Sequence, residues 1–103
     1  MHKVNVGVLG CGFWGKNHAR VFSELDCCNL VAVADIEAER ARNTAEKHHV
    51  DWYSDPSKLL ERKDIEFLSI CTPTVTHASL ALKAIEDGKH ILVEKPMTSI
   101  MLN

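Results

Sequence analysis

The 103-residue sequence has only three prolines and five glycines, and no Pro-, Ser- or Gly-rich tract interrupts it. A single domain without linkers or repeats is expected. Its six histidines and four cysteines show no C-x-x-C, H-x-x-x-H or H-E-x-x-H spacing, so no metal site is expected. Positive charge is not in surplus: twelve Lys and Arg stand against fourteen Asp and Glu, for a net charge of −2. That balance disfavours binding along nucleic acid, where phosphates must be neutralised. The apolar runs are strand-length, well short of the roughly 20 residues that span a bilayer, so no membrane partner is expected. Met1-His2-Lys3-Val4 leads straight into strand sequence without the apolar core of a secretion leader. A cytoplasmic protein is therefore expected, with Cys11, Cys27, Cys28 and Cys71 reduced and serving as small apolar fillers. Adjacent Cys27 and Cys28 are poorly placed for a structural bridge to each other.

What is present is strict alternation of strand and helix patterns. Val4–Leu9 reads as a first strand, and Trp14 to Leu25 as a helix with apolar residues at Trp14, His18, Val21, Phe22 and Leu25. Leu30–Ala34 is apolar throughout, as in a parallel strand covered on both faces. Glu37 to His48 is a helix with Ala38, Ala41 and Ala45 on one stripe. Asp51–Tyr53 is a short strand. Asp55-Pro56 supplies an N-cap and a proline at N1 for a short helix through Leu59 and Leu60. Ile65–Cys71 is a fourth strand. A helix from an N-cap at Thr74 to Asp87 follows, with Val75, Ala78, Leu82 and Ile85 facing inward and Gly88 as its stop. His90–Val93 is a fifth strand. This order implies an α/β fold: a Rossmann-like, doubly wound parallel sheet of five strands.

Gly10-Cys11-Gly12-Phe13-Trp14-Gly15 is a G-x-G-x-x-G between the first strand and first helix. Gly10 suits the tight turn, Gly12 the approach of backbone to a pyrophosphate, and Gly15 the close packing of helix on strand. The N–H groups opening the helix would face the phosphates. Asp35 ends the second strand twenty residues after Gly15, where a carboxylate accepts the hydroxyls of an adenosine ribose. Asp35 can equally cap the next helix. Its charge would repel a 2′-phosphate, which favours NAD over NADP, although Arg40 and Arg42 one helical turn on keep NADP open. S-adenosylmethionine enzymes share such a loop and acid. Further along, Cys71-Thr72-Pro73-Thr74 and Glu94-Lys95-Pro96 close the fourth and fifth strands at the carboxyl edge, where open α/β sheets bind ligands. Pro96 restricts Lys95 to an extended backbone.

These residues resemble the glucose–fructose oxidoreductase, inositol dehydrogenase and MocA (Gfo/Idh/MocA) family of dinucleotide-dependent oxidoreductases. The carriers are the glycine loop, Ala34-Asp35, Cys71-Thr72-Pro73 with Thr74 and His77, and Gly88-Lys89-His90 through Glu94-Lys95-Pro96. The resemblance runs to about Ser99. It implies that Gly10, Gly12, Phe13, Trp14 and Gly15 hold the pyrophosphate and Asp35 the ribose. It also implies that Cys71, Thr72 and Pro73 line the dinucleotide groove with His77 nearby, and that Glu94 and Lys95 lie by the nicotinamide ribose. Lys95 matches the family's active-site lysine, which helps to bind substrate and polarise the reacting hydroxyl. The implied reaction is hydride transfer between nicotinamide and a secondary alcohol of a sugar, sugar nucleotide or cyclitol. Gly15 to Leu25 looks most like the sugar-nucleotide branch, such as UDP-N-acetylglucosamine 3-dehydrogenase.

Family members continue after Glu-Lys-Pro into another helix, a sixth strand and a substrate domain. Residues 1–96 are therefore expected to form a C-terminally incomplete NAD(P)-binding domain, with 97–103 as a truncated tail. Ile100-Met101-Leu102-Asn103 lacks the usual acidic helix-forming sequence, as a fragment or out-of-frame end would. An unpaired fifth strand would favour self-association, and catalysis by this chain alone is not expected. A stand-alone NAD-binding or redox-sensing module is the competing expectation.

Overall fold

The computed structural model describes residues 3–71 and 74–93, and for 74–78 the backbone alone. The elements run β1 (Val4–Leu9), α1 (Phe13–Glu24), β2 (Cys28–Ala34), α2 (Ala38–His48), β3 (Asp51–Tyr53), α3 (Pro56–Leu60), β4 (Phe67–Ile70), α4 (Thr74–Glu86) and β5 (His90–Val93). All strand pairs are parallel, in the order β3-β2-β1-β4-β5. The chain winds outward from β1 in one direction, then returns to β1's other side. This creates a switch point between β1 and β4, where a crevice opens at the strands' carboxyl ends.

Side-chain alternation divides the core between the two sheet faces. Val8 and Val33 belong to a cluster with Cys11, Ala19, Leu30, Ala41 and Ala45, packed under α1 and α2. Leu9, Ala32 and Ala34 belong to the opposite cluster with Leu68 and Ile70, under α3 and α4. Leu30 and Ala32 should share a face by period two, yet they lie on opposite ones. A register shift against Val6 and Gly7 leaves Val31 without a partner on β1. That bulge reverses the parity of β2 and delivers Asp35 to the edge beside β1.

Several local signals act as expected. The Asp55 carboxylate accepts the Ser57 N–H at 3.0 Å, with Pro56 opening α3. Gly88, at φ 80°, ends the turn after α4. The small-residue stripe of α2 faces the sheet as read at Ala41 and Ala45, and Phe22 of α1 packs on the same cluster, but other inward positions differ. On α1, Trp14, Val21 and Leu25 are exposed, and the buried residues are Gly15 and Ala19. On α4, Leu82 and Ile85 are 62% and 56% exposed, whereas Ala84 is fully buried with Leu80 and Ala81 beside it. Val75 and Ala78 lie among side chains outside the described residues. Small residues face the sheet because they let helices approach closely. Helical spacing alone does not choose between neighbouring stripes. Of the cysteines, Cys11 is a buried filler, but Cys27 is exposed.

The amino-end edge of the sheet is tied by charge. Arg62 bonds Asp64 at 2.6 and 2.9 Å and Asp51 at 2.8 Å. Buried Lys89 donates Nζ–H to the Arg62 carbonyl at 2.7 Å.

Candidate functional site: the glycine turn at the carboxyl edge

The turn after β1 is shaped by its backbone. Gly10 takes φ 94°, open to glycine and strained for other residues, and its N–H donates to the Ala34 carbonyl at 2.7 Å. Gly15, in the first turn of α1, lies against Gly10. A Cβ there would collide with the Gly10 carbonyl and sit 3.7 Å from the Cys71 Cβ. The Cys71 N–H donates to the Leu9 carbonyl at 2.7 Å. These contacts bring the ends of β1, β2 and β4 and the start of α1 to one point.

Gly12 is the N-cap of α1, and having no side chain it leaves the first-turn N–H groups to other partners. No acidic side chain stands in that turn. Phe13 and Trp14 follow, 69% and 46% exposed, stacked edge to face with centroids 5.1 Å apart. The turn thus presents N–H donors with no side-chain cap, the helix dipole and two exposed rings to one side.

Asp35 lies beside it. One carboxylate oxygen accepts the Cys11 N–H at 2.7 Å and the other accepts the Glu37 N–H at 2.8 Å. The N-cap of α2 is Glu37, so Asp35 does not cap that helix as expected: one oxygen closes a turn just ahead of it and the other ties Asp35 to the glycine turn. Each carboxylate oxygen has a further lone pair, so Asp35 keeps capacity for two hydroxyls. Among the described residues a Cβ at Gly12 would meet only the Arg40 Nη1 within 4 Å, at 3.8 Å, so these residues leave space for a phosphate in front of the turn. By this test the residues fit a dinucleotide.

Of the two arginines that left NADP open, Arg40 is the one near the loop. It shares a cavity of about 330 Å³ with Gly12, Lys16 and Thr44, and its Nε is 3.8 Å from Glu37. Arg42 instead pairs with Glu39 at 3.4 Å. Lys16, which sequence reasoning passed over, is a further cation at the loop, and its position directly after Gly15 is the signal that could have found it. The Cys11 thiol points away into the core, where burial pushes its pKa up to about 12. The nearby Thr44 hydroxyl pulls the other way without reaching hydrogen-bond geometry. Cys11 therefore contributes its backbone, and its sulfur is inert. Below the turn, His18 Nδ1 and the buried Ser69 hydroxyl lie 2.7 Å apart, linking α1 to β4.

Gly10, Gly12, Phe13, Trp14, Gly15, Asp35 and Cys71 are thus gathered at one edge. Thr72, Pro73, Glu94 and Lys95 lie outside the described residues, as does the side chain of His77.

Residues 4–102 match an oxidoreductase family with an NAD-binding Rossmann fold. The chain belongs to the Gfo/Idh/MocA oxidoreductase family. It corresponds to that family's NAD-binding domain, as the resemblance implied. Over 99 residues it is 39% identical to scyllo-inositol 2-dehydrogenase (NAD(+)) of Bacillus subtilis, covering 94% of this chain and 29% of that protein. Myo-inositol dehydrogenase from Lactobacillus casei, solved with NAD(H) and myo-inositol, superposes with a TM-score of 0.85 at 33% identity. That match covers 92% of this chain and 29% of the other. UDP-N-acetylglucosamine 3-dehydrogenase from Acidithiobacillus ferrooxidans superposes with a TM-score of 0.82 at 34% identity, covering 93% and 31%. The chain therefore spans under a third of the length of these Gfo/Idh/MocA relatives. No helix among the described residues is long and apolar enough to cross a membrane.

Proposed function

We propose that this chain is the cofactor-binding part of a cytoplasmic NAD-dependent dehydrogenase acting on a secondary alcohol of a cyclitol, sugar or sugar nucleotide. The observation that carries the reading is the Asp35 carboxylate held against the glycine turn, within a chain that matches this family over residues 4–102. The inositol dehydrogenase relatives favour a cyclitol, and the UDP-N-acetylglucosamine enzyme keeps a sugar nucleotide beside it. Their dehydrogenase names favour an enzyme over a stand-alone module.

Backbone N–H groups from Gly12 to Gly15 would hold the pyrophosphate, with Phe13 and Trp14 beside them. Asp35 accepts the adenosine ribose hydroxyls, and its charge with that of Glu37 disfavours a 2′-phosphate. Cys71, Thr72 and Pro73 would line the dinucleotide groove, with His77 nearby. Bound nicotinamide supplies the hydride chemistry. Glu94 orients the adjoining ribose. Lys95 donates a hydrogen bond to the reacting hydroxyl oxygen and stabilises the charge that develops there.

The exposed Leu82, Ile85 and Leu92 beside edge strand β5 support self-association of the isolated chain. The function is tested by calorimetric titration with NAD and, in parallel, NADP. Saturable binding that prefers NAD sustains it. A folded chain that binds neither nucleotide overturns the reading of this chain as a self-sufficient cofactor module.

A further inference from the structure

Two thiols face each other at the edge of the sheet opposite the glycine turn. Cys27 is the last residue of the connection from α1, and Cys28 opens β2. The Cys28 N–H donates to the Leu25 carbonyl at 3.2 Å, closing a turn over Asp26 and Cys27, and the Val4 N–H donates to the Cys27 carbonyl at 2.9 Å. Both residues are thus pinned by their backbones. In an extended strand, neighbouring side chains point to opposite faces. The turn at Cys27 cancels that alternation and leaves the two Sγ atoms 3.7 Å apart, in thiol hydrogen-bond contact and not joined by a disulfide, with Cys27 exposed and Cys28 half-buried.

That separation is a chelating one. Two sulfurs each about 2.3 Å from a shared centre stand roughly 3.3 Å apart at a pyramidal angle of about 90° and roughly 3.8 Å at a tetrahedral one. A shift of the exposed Cys27 sulfur by a few tenths of an ångström, through rotation of its side chain, serves either. A four-coordinate cation such as zinc would need more protein ligands, and among the described residues no group of three or more His, Cys, Asp and Glu is placed to hold a metal. Zinc would also need both thiolates. The Cys28 thiol is pushed up by burial and then by the Cys27 thiol beside it, so forming the pair of thiolates is unfavourable. A suitable centre takes two sulfurs, brings its remaining ligand with it, and reacts with the protonated thiols.

We propose that Cys27 and Cys28 form a vicinal dithiol site for trivalent arsenic. An arsenoxide, R–As=O, condenses with the two thiols. Two As–S bonds form and the As=O bond breaks. Both thiol protons leave with that oxygen as one water. Arsenic stays trivalent, and no oxidant or reductant takes part.

The test treats the reduced chain with phenylarsine oxide and follows intact mass under native conditions. One phenylarsenic group per chain should add with loss of one water. Ethanedithiol should remove it, and an equal concentration of thiol groups from a monothiol should not. Proteolysis should place the adduct on the peptide carrying Cys27 and Cys28. Cys27→Ser and Cys28→Ser should each weaken capture by about 100-fold or more, because a chelate becomes a single bond. Both variants should keep the parental circular dichroism, and Cys71→Ser should bind as the parent does. No adduct, an adduct mapped to Cys71, or undiminished capture by folded Cys27→Ser would overturn the site.

Discussion

Asp35 grips the glycine turn through Cys11: its Oδ2 accepts the Cys11 N–H at 2.7 Å, while its Oδ1 takes the Glu37 N–H at 2.8 Å. The residue expected to read the ribose is thereby part of the scaffold that aims the pyrophosphate turn. Cofactor choice and loop geometry are coupled at one carboxylate.

Asp35→Ala should raise the NAD dissociation constant about 10- to 100-fold, the range for hydrogen bonds to a charged group. NADP should lose less, because removing the negative charge relieves repulsion of the 2′-phosphate and Arg40 remains close to the loop. Parallel calorimetric titrations measure the NAD-to-NADP ratio, and an unchanged ratio would remove Asp35 from recognition.

Gly15 and Gly12 should respond differently to alanine. At Gly15 the added Cβ runs into the Gly10 carbonyl, backbone that has little room to yield. Gly15→Ala should cost about 1–3 kcal/mol in urea unfolding, as overpacking does. At Gly12 the nearest atom among the described residues is the end of the flexible Arg40 side chain, 3.8 Å away. Gly12→Ala should unfold near the parental midpoint yet bind NAD more weakly, separating turn packing from phosphate access.

Arg62 should govern acid stability at the other edge of the sheet. Its hydrogen bonds hold the Asp64 carboxyl below the usual carboxylate range. A carboxylate lowered in the folded state stabilises above its unfolded pKa, near 3.9, and loses that contribution as pH falls through the lowered value. Asp64 is 46% exposed, so solvent screening holds the contribution to about 1 kcal/mol or less. Arg62→Leu should lower the urea midpoint at neutral pH and flatten its decline below about pH 4. A parallel shift of the whole pH profile would refute the coupling.

Thiol reactivity should follow burial. With its pKa pushed up to about 12, Cys11 carries only about one thiolate in 10⁴ at pH 8. Iodoacetamide should therefore label exposed Cys27 first and Cys11 only on unfolding, as peptide mapping would show.

The self-association proposed for the α4–β5 side predicts concentration-dependent sedimentation of the isolated chain. Leu82→Glu with Ile85→Glu should shift it toward monomer, since both side chains are more than half exposed. A parent that stays monomeric when concentrated would count against this surface.

Alternation of strand and helix, the glycine loop, Asp35 at the end of β2, the Asp55-Pro56 cap and the Gly88 stop were all legible in the sequence. Each depends on neighbours within a few residues, or on a period that the chain carries along its own length. Tertiary structure decided what depends on partners distant in sequence. Ala19 and Ala84, and not the larger Val21, Leu82 and Ile85, face the sheet, because close helix–sheet packing selects small residues that spacing alone does not distinguish. The bulge at Val31 arises from pairing with β1, and it sets which faces the rest of β2 presents. The tie from Asp35 to Cys11, the His18–Ser69 contact and the facing sulfurs of Cys27 and Cys28 each depend on where folding places a backbone. Residue order names such groups, and only the folded chain sets the distance between them.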